Sequence, residues 1–261
     1  MPPFIIFEDR KDHAMTNTEQ LTELLRGSDR IVFFGGAGVS TASGIPDFRS
    51  ASGLYNQKYK RTLSPEEMVS HSFFVRDPED FFDFYRDKLI YPEAQPNDCH
   101  KALAALEKAG KLTAVVTQNI DGLHQKAGSK NVFELHGSVL RNYCTRCGKF
   151  FDETAVLNAQ GVPKCDRCGG IIKPDVVLYE EMLNEDVMDG AAKAIRRADM
   201  LIIGGTSLVV YPAAGFVRYF RGDHLVLINK SVTPMDHEAD LVIHEDIAAV
   251  LGDAVRALGL M

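Results

Sequence analysis

Six short apolar runs punctuate the chain: Ile31–Phe34, Thr113–Thr117, Val132–Leu135, Leu201–Gly204, Leu225–Ile228 and Leu241–Ile243. They carry little polar alternation, as expected of parallel strands covered on both faces. Between them lie stretches of helical character: Asp98–Lys108 with Leu103 and Leu106 among alanines, the Ala-rich Glu185–Arg197, and Ile247–Leu258 with apolar residues at helical spacing. Thr16-Asn17-Thr18-Glu19 supplies a capping box for a further helix that ends near Arg26. Strands alternating with helices predict an α/β fold built on a doubly wound parallel sheet.

Two regions break this rhythm. Phe48–Pro96 is rich in aromatics (Phe73, Phe74, Phe81, Phe82, Phe84, Tyr85) and is interrupted by Pro65, Pro78 and Pro92, a pattern of short helices packed as a cap. Tyr143–Pro174 holds four of the five cysteines. Both read as insertions that form a smaller lobe. The division expected is a large lobe of residues 16–47, 96–138 and 174–261, and a small lobe with a helical part, 48–95, and a cysteine-bearing part, 139–173. Residues 1–15 read as a flexible leader, with Met15 an alternative start. The cleft between the lobes is the expected active site.

Composition narrows the function. With 45% hydrophobic and 25% charged residues over 261 positions, the chain has the makeup of a globular protein rather than a disordered one. Twenty-nine basic against thirty-six acidic residues leave a net charge of −7, which disfavours direct nucleic-acid binding. The basic residues Arg141, Arg146, Lys149, Lys164, Arg167 and Lys173 around the cysteines read as a solvated face. The uncharged stretch Met200–Val217 is broken by Gly204, Gly205, Pro212 and Gly215 and reads as buried strand plus loop rather than a membrane span. The opening residues lack the charged start and apolar core of a secretory signal, so a cytoplasmic protein is expected.

The most specific local pattern is Cys144-Thr145-Arg146-Cys147, seventeen residues, then Cys165-Asp166-Arg167-Cys168. This is zinc-ribbon spacing. Four thiolates complete a tetrahedral shell with no open position, so one structural rather than catalytic zinc ion is expected on Cys144, Cys147, Cys165 and Cys168. Cys99 is left over and reads as a small buried thiol.

A second pattern, Gly35-Gly36-Ala37-Gly38-Val39-Ser40-Thr41, follows the first strand, where glycines let backbone amides approach a phosphate. The dinucleotide fingerprint of dehydrogenases nevertheless fails twice: Thr41 replaces its third glycine, and Leu54–Ser64 has no acidic residue to grip a ribose. Hydride transfer is disfavoured. Polar groups follow later strands: Thr117-Gln118-Asn119-Ile120-Asp121, His136-Gly137, Gly205-Thr206-Ser207 and Asn229. His136 closes a strand beside a glycine, and an unperturbed imidazole, which titrates at about 6.5, can act as a general base at neutral pH. His100 and His124 read as structural.

Taken in order, these motifs, with Gly44-Ile45-Pro46-Asp47-Phe48-Arg49, resemble those of the sirtuins, the NAD-dependent protein-lysine deacylases, from about Arg30 to Asp246. The resemblance implies a Rossmann-like large lobe, a small lobe with a zinc module, and NAD plus an acyl-lysine peptide between them, NAD being consumed as co-substrate. It implies that Gly36, Ala37, Gly38, Thr41 and Arg49 meet the phosphates and ribose, and that Phe48, Ile120 and Asp121 surround nicotinamide. Gln118 and Asn119 would hold the nicotinamide ribose, and Gly205, Thr206, Ser207, Asn229, Asp246 and Ile247 the adenosine end. His136 and Asn119 would be catalytic. In the family mechanism the acyl oxygen attacks C1′ as nicotinamide leaves. His136 then helps a ribose hydroxyl attack the resulting imidate, giving free lysine and O-acyl-ADP-ribose. Val176, Val177, Leu178 and Tyr179, opposite Leu208 and Val209, would flank an extended peptide.

Two departures stand out. Where many relatives have Phe-Gly-Glu, this chain has Tyr179-Glu180-Glu181, whose carboxylates suggest a preference for basic peptides. Where succinyl-removing relatives have Tyr-x-x-Arg, this chain has Tyr85-Arg86-Asp87-Lys88; lysine lacks the planar fork that clamps a carboxylate, so acetyl is the expected acyl group. The competing readings are mono-ADP-ribosyl transfer from the same pocket and a non-catalytic NAD-sensing zinc-ribbon module.

Overall fold

The structure is a computed structural model that describes residues 15–50, 53–54 and 63–261. The leader expected at residues 1–15 lies outside the described residues except for Met15. The helix expected after Thr16 is α1 (Asn17–Gly27), and Thr16 caps it as the capping box requires: its hydroxyl accepts from the Glu19 amide while the Glu19 carboxylate accepts from the Thr16 amide at 2.8 Å.

Six parallel strands form the main sheet: β1 (Ile31–Gly35), β2 (Leu112–Thr117), β3 (Val132–Glu134), β7 (Met200–Gly204), β8 (His224–Ile228) and β9 (Leu241–Ile243), ordered β3-β2-β1-β7-β8-β9. Each matches one of the six apolar runs. The side chains alternate between two cores because successive strand residues face opposite ways. Ile31, Phe33, Ile202 and Val226 pack with α1, α5 (Asp98–Lys108) and α9 (Ile247–Ala257), while Val32, Phe34, Leu201 and Ile203 pack with α8 (Glu185–Arg197). Burial on both faces is what removed the polar alternation from the sequence.

This order reverses direction between β1 and β7. Crevices outside the carboxyl ends of strands at such a switch point are where doubly wound sheets bind ligands. It is also where the glycine-bearing loops after β1 and β7 meet.

Between β3 and β7 the chain builds a second, antiparallel sheet from β4 (Gly137–Cys144), β5 (Phe150–Phe151) and β6 (Ile172–Val176), in the order β5-β4-β6, with the short helix α7 (Thr154–Leu157) within it; another short helix, α6 (Leu123–Ala127), connects β2 to β3. Pro174 sits in β6, which is tolerable because β6 is an edge strand of that sheet. The cap expected from the aromatic region contains α2 (Pro65–Met68), α3 (His71–Arg76) and α4 (Pro78–Lys88). Its rings Phe73, Phe74, Phe81, Phe82 and Tyr85 share one core with Val139, Ile172 and Leu178, and Phe81, Phe82 and Phe74 meet edge to face at 5.1–6.0 Å. The helical and cysteine-bearing insertions thus pack as one unit. Among the described residues no helix is long and apolar enough to cross a membrane.

Candidate active site between the two sheets

The loops after β1 and β7 press together closely enough to exclude side chains. A Cβ on Gly38 would lie 2.8 Å from the Gly205 Cα, and one on Gly205, whose φ is +58°, 2.4 Å from the Val39 nitrogen. The Gly38 amide donates to the Gly205 carbonyl at 2.8 Å and the Gly36 amide to that of Gly204 at 3.2 Å. These glycines are therefore required by loop packing, and two of their amides are already engaged. The Ala37 amide opens the next 3-10 turn, a position with no intrahelical acceptor. The Thr41 hydroxyl donates to the Gly38 carbonyl at 2.9 Å.

The loop after β2 lies across the same edge. The Gln118 amide donates to the Gly35 carbonyl at 2.9 Å, and its side-chain amide to the Thr206 hydroxyl at 3.1 Å. Buried Ser40 joins this loop to the first one: it donates to Asp121 Oδ2 at 2.7 Å and accepts from Asn119 Nδ2 at 3.1 Å. Burial pushes the Asp121 carboxyl up, and the Leu123 amide and Ser40 hydroxyl hold it partly down. Ser40 is a site residue to which sequence reasoning assigned no role; a serine in a glycine-rich turn reads as a turn former. A cavity of about 320 Å³ opens beside Asp121. It is walled by Tyr91, Pro92, Leu123, Leu140 and Glu153, and of the residues expected to hold NAD or the peptide it touches Asp121 alone.

His136 stands where the chain leaves the main sheet for the small one. Its Nδ1 lies 2.9 Å from the Gln118 carbonyl. A carbonyl only accepts, so Nδ1 carries the proton and Nε2 the lone pair. Burial depresses the imidazole pKa, against a smaller upward pull from the Gln118 bond, and keeps the ring neutral near neutral pH. That is the state a base needs. The next residue, Gly137, has φ +74°, and a Cβ there would lie 1.8 Å from the Asp175 carbonyl oxygen, so β4 and β6 can close behind His136 only on glycine.

The other expected ligand-binding residues divide by what their side chains already do. Phe48 is half-buried and Arg49 exposed, on a turn organised by Asp47, which accepts from the Arg49 and Ser50 amides at 3.1 and 2.8 Å. Ile120 lies against the small-lobe core. Ser207 is half-buried, and Asn229 donates to the Ser231 carbonyl at 2.7 Å. Asp246 caps α9 through the Ala248 amide and pairs with Lys230 at 2.7 Å. The side chains of Ile247, Leu208, Val176 and Leu178 lie in the cores, which leaves only their main chain for a ligand. Val209 is exposed, and Val177 is partly buried.

The acidic turn departs from its sequence reading. Glu180 takes the left-handed φ of +76° that glycine would favour. Its carboxylate accepts from the Ser72 amide at 2.8 Å and hydroxyl at 2.6 Å, in the first turn of α3. Glu181 meets His71 at 2.8 Å, Lys173 at 3.0 Å and the Leu178 amide at 2.9 Å. Tyr179 pairs by main chain with Val69 and His71. Both carboxylates are thus occupied within the protein, against the suggested attraction for basic peptides. Acetyl-lysine peptides with lysine or arginine at the flanking positions should be turned over within about threefold of neutral ones, and their kcat/KM ratio should not move between low and high salt. A ratio that collapses with salt would return the glutamates to the cleft.

The four cysteines converge. Their Sγ atoms all lie within 4.8 Å of one another, with Cys144 and Cys168 at 3.4 Å and Cys147 and Cys165 at 3.7 Å. None is disulfide-bonded. A tetrahedron of Zn–S bonds about 2.3 Å long has edges of about 3.8 Å, so the donor set fits one zinc ion with no position open to a substrate. Cys99 is buried by itself beneath the main sheet, as expected.

The Sir2 family model matches residues 36–212. A Clostridium perfringens protein named NAD-dependent protein deacetylase is 66% identical over 237 residues, covering 90% of this chain and 97% of its own. A Clostridium tetani protein of the same name is 60% identical, covering 94% and 100%. Among solved structures, a Sir2 histidine-to-alanine variant with deacetylated p53 peptide and 3′-O-acetyl ADP ribose matches with a TM-score of 0.83 at 40% identity, covering 94% of this chain and 99% of its own. A Sir2 homologue in complex with NAD matches with a TM-score of 0.83 at 39% identity, covering 93% and 95%. Sequence, fold and the joined loops of the cleft agree, and the chain belongs to the Sir2 family, the sirtuins.

Proposed function

We propose that this protein removes acetyl groups from lysine side chains of other proteins and consumes NAD in doing so, releasing nicotinamide, O-acetyl-ADP-ribose and the free lysine. The observation that carries the reading is the tautomer of His136: a neutral, largely desolvated imidazole whose proton is committed to Gln118 and whose Nε2 is left basic. A protein that merely binds NAD has no need of a base held in this way.

In this reading NAD lies across the switch point, with its phosphates toward Ala37, Thr41 and Arg49 and its nicotinamide toward Phe48, Ile120 and Asp121. Gln118 and Asn119 hold the nicotinamide ribose. The acyl oxygen attacks C1′ as nicotinamide departs with the bonding pair, in a pocket that keeps water from the cationic sugar carbon. Nε2 of His136 then takes the proton of the ribose hydroxyl that adds to the imidate. The peptide runs between 176–179 and 207–210 and uses mainly main-chain bonds, in keeping with the core positions of Val176, Leu178 and Leu208.

Acetyl is the preferred group. Tyr85 is stacked on Phe81 at 5.7 Å within the small-lobe core, and Lys88 pairs with Asp87 at 3.1 Å, so this pair forms no clamp for a succinyl carboxylate. The cytoplasm is the proposed compartment, since four metal-binding thiols must stay reduced. The net charge of −7 supports protein rather than nucleic-acid partners.

Incubation with NAD and an acetyl-lysine peptide, followed by mass spectrometry, tests the reading. Free peptide and acetyl-ADP-ribose in equal amounts are expected. ADP-ribose attached to a protein acceptor would identify a transferase instead, and NAD recovered intact would identify a sensor.

A further inference from the structure

A partly exposed ionic network, centred on the buried carboxylate of Glu134, surrounds the point at which His136 leaves the main sheet. Glu134 ends β3, two residues before His136, and its side chain is only 9% exposed. Its carboxylate accepts from Gln125 Nε2 at 2.8 Å and from Arg141 Nη1 at 2.7 Å. Gln125 belongs to α6, the helix that follows Asp121. Arg141 belongs to β4, the strand that follows His136, and its Nε donates to Asp175 Oδ2 on β6 at 2.8 Å. Val176, the next residue on β6, is the register partner of Gly137.

One guanidinium therefore ties the strand entering His136 to the strand it packs against on leaving, and through Glu134 to the helix behind Asp121. The backbone there has no slack, because Gly137 admits no Cβ against the Asp175 carbonyl. The two backbone contacts that fix His136 come from opposite sides of this junction: Gln118 accepts from its Nδ1, and Val177 donates to its carbonyl at 3.0 Å. A slip of β6 against β3 would pull these two apart and rotate the imidazole. Holding two carboxylates at fixed angles is a task for the planar, forked donor set of arginine rather than for a lysine point charge.

We propose that Arg141 is a positioning residue for His136, setting the relation of β3 to β6 so that Nε2 meets the ribose hydroxyl. The inference rests on the deacetylase reading above, in which the base acts only after nicotinamide has left. That order supplies a readout that a merely structural residue would not move. Exchange of labelled nicotinamide into NAD needs C1′ bond cleavage and re-formation but not the base, whereas peptide deacetylation needs both.

Arg141→Met should lower deacetylation kcat about tenfold or more, as misplacement of a catalytic group does, while nicotinamide exchange stays within about twofold of wild type. Arg141→Lys should rescue only part of the loss. Since Arg141→Met leaves the Glu134 carboxylate without its cation, Glu134→Gln combined with Arg141→Met removes that uncompensated charge, and the same split is expected in this double variant. Deacetylation and exchange falling together, or neither falling in a folded variant, would overturn the assignment. Wild-type protein inactive in both assays would instead overturn the deacetylase reading, and this one with it.

Discussion

His136→Ala is expected to lower the kcat of deacetylation by about 10²–10⁴-fold, the range for loss of a general base, while nicotinamide exchange and the cooperative unfolding transition persist. The fold should survive because the imidazole contributes one side-chain hydrogen bond, to the Gln118 carbonyl, whose loss costs about 1 kcal/mol in a site that water can then enter. Steady-state deacetylation and thermal melts of the same preparation are the measurements; normal turnover by a folded variant would remove His136 from its role. In the wild type, burial lowers the imidazole pKa, so the base remains deprotonated below the 6.5 of an ordinary histidine and the acid limb of the kcat profile should fall on the acidic side of that value.

The same direction of shift has a consequence for stability. His100 and His124 pack edge to face at 4.7 Å beneath the loops, with His100 Nε2 and both His124 ring nitrogens buried without a hydrogen-bond partner among the described residues. Burial pushes His100 down to about 4 and His124 well below its ordinary value. The folded state then binds fewer protons than the unfolded one, so stability falls as pH drops through 6.5, the unfolded value, and for His100 continues to fall until about 4. Over that window His100 alone is worth on the order of 3 kcal/mol. Urea unfolding midpoints should decline steadily across it, and a flat profile would mean that these rings are solvated.

How much of this was legible beforehand depended on whether the signal was local. The six strands of the main sheet were readable because each is a short apolar run covered on both sides, and α5 and α8 because one sets Leu103 and Leu106 among alanines and the other is rich in alanine, the best helix former. The cysteine pairs announced a metal site by spacing alone. Strand β4 was not readable: Gly137–Cys144 mixes Arg141, Asn142 and Ser138 with apolar residues, and it becomes a strand only when β6 pairs with it. The carboxylates of Glu180 and Glu181 looked free in sequence because their partners, Ser72, His71 and Lys173, lie between eight and 110 positions away. The glycines after β1 were legible as glycines but not for their reason, since the close approach they permit is to Gly205 at the end of another strand. Contacts closed by topology have no local signature.

Removal of zinc should lower activity sharply even though the ion is remote from the chemistry. Cys144 is the last residue of β4, the strand that begins at Gly137, and Cys165 and Cys168 lie on the turn leading into β6, so the four thiolates fix the far end of the sheet whose near end holds His136. Buried Cys144 and Cys165 also belong to the aromatic core shared with α3 and α4. Without the cation, four sulfurs within 4.8 Å of one another repel as thiolates or must take up protons, and in either state β4 and β6 lose their closure. Cys168→Ser, or chelator treatment of the wild type, should therefore release one zinc ion per chain, lower deacetylation at least about tenfold and lower the melting temperature of the small lobe. The main sheet has its own cores, built from residues of β1, β2, β7 and β8 with α1, α5, α8 and α9. It should stay folded, so binding of ADP-ribose, followed by calorimetry, should be affected far less than turnover. Full deacetylation by a metal-free protein, verified by elemental analysis, would show that the aromatic core alone holds β4 and β6 in register.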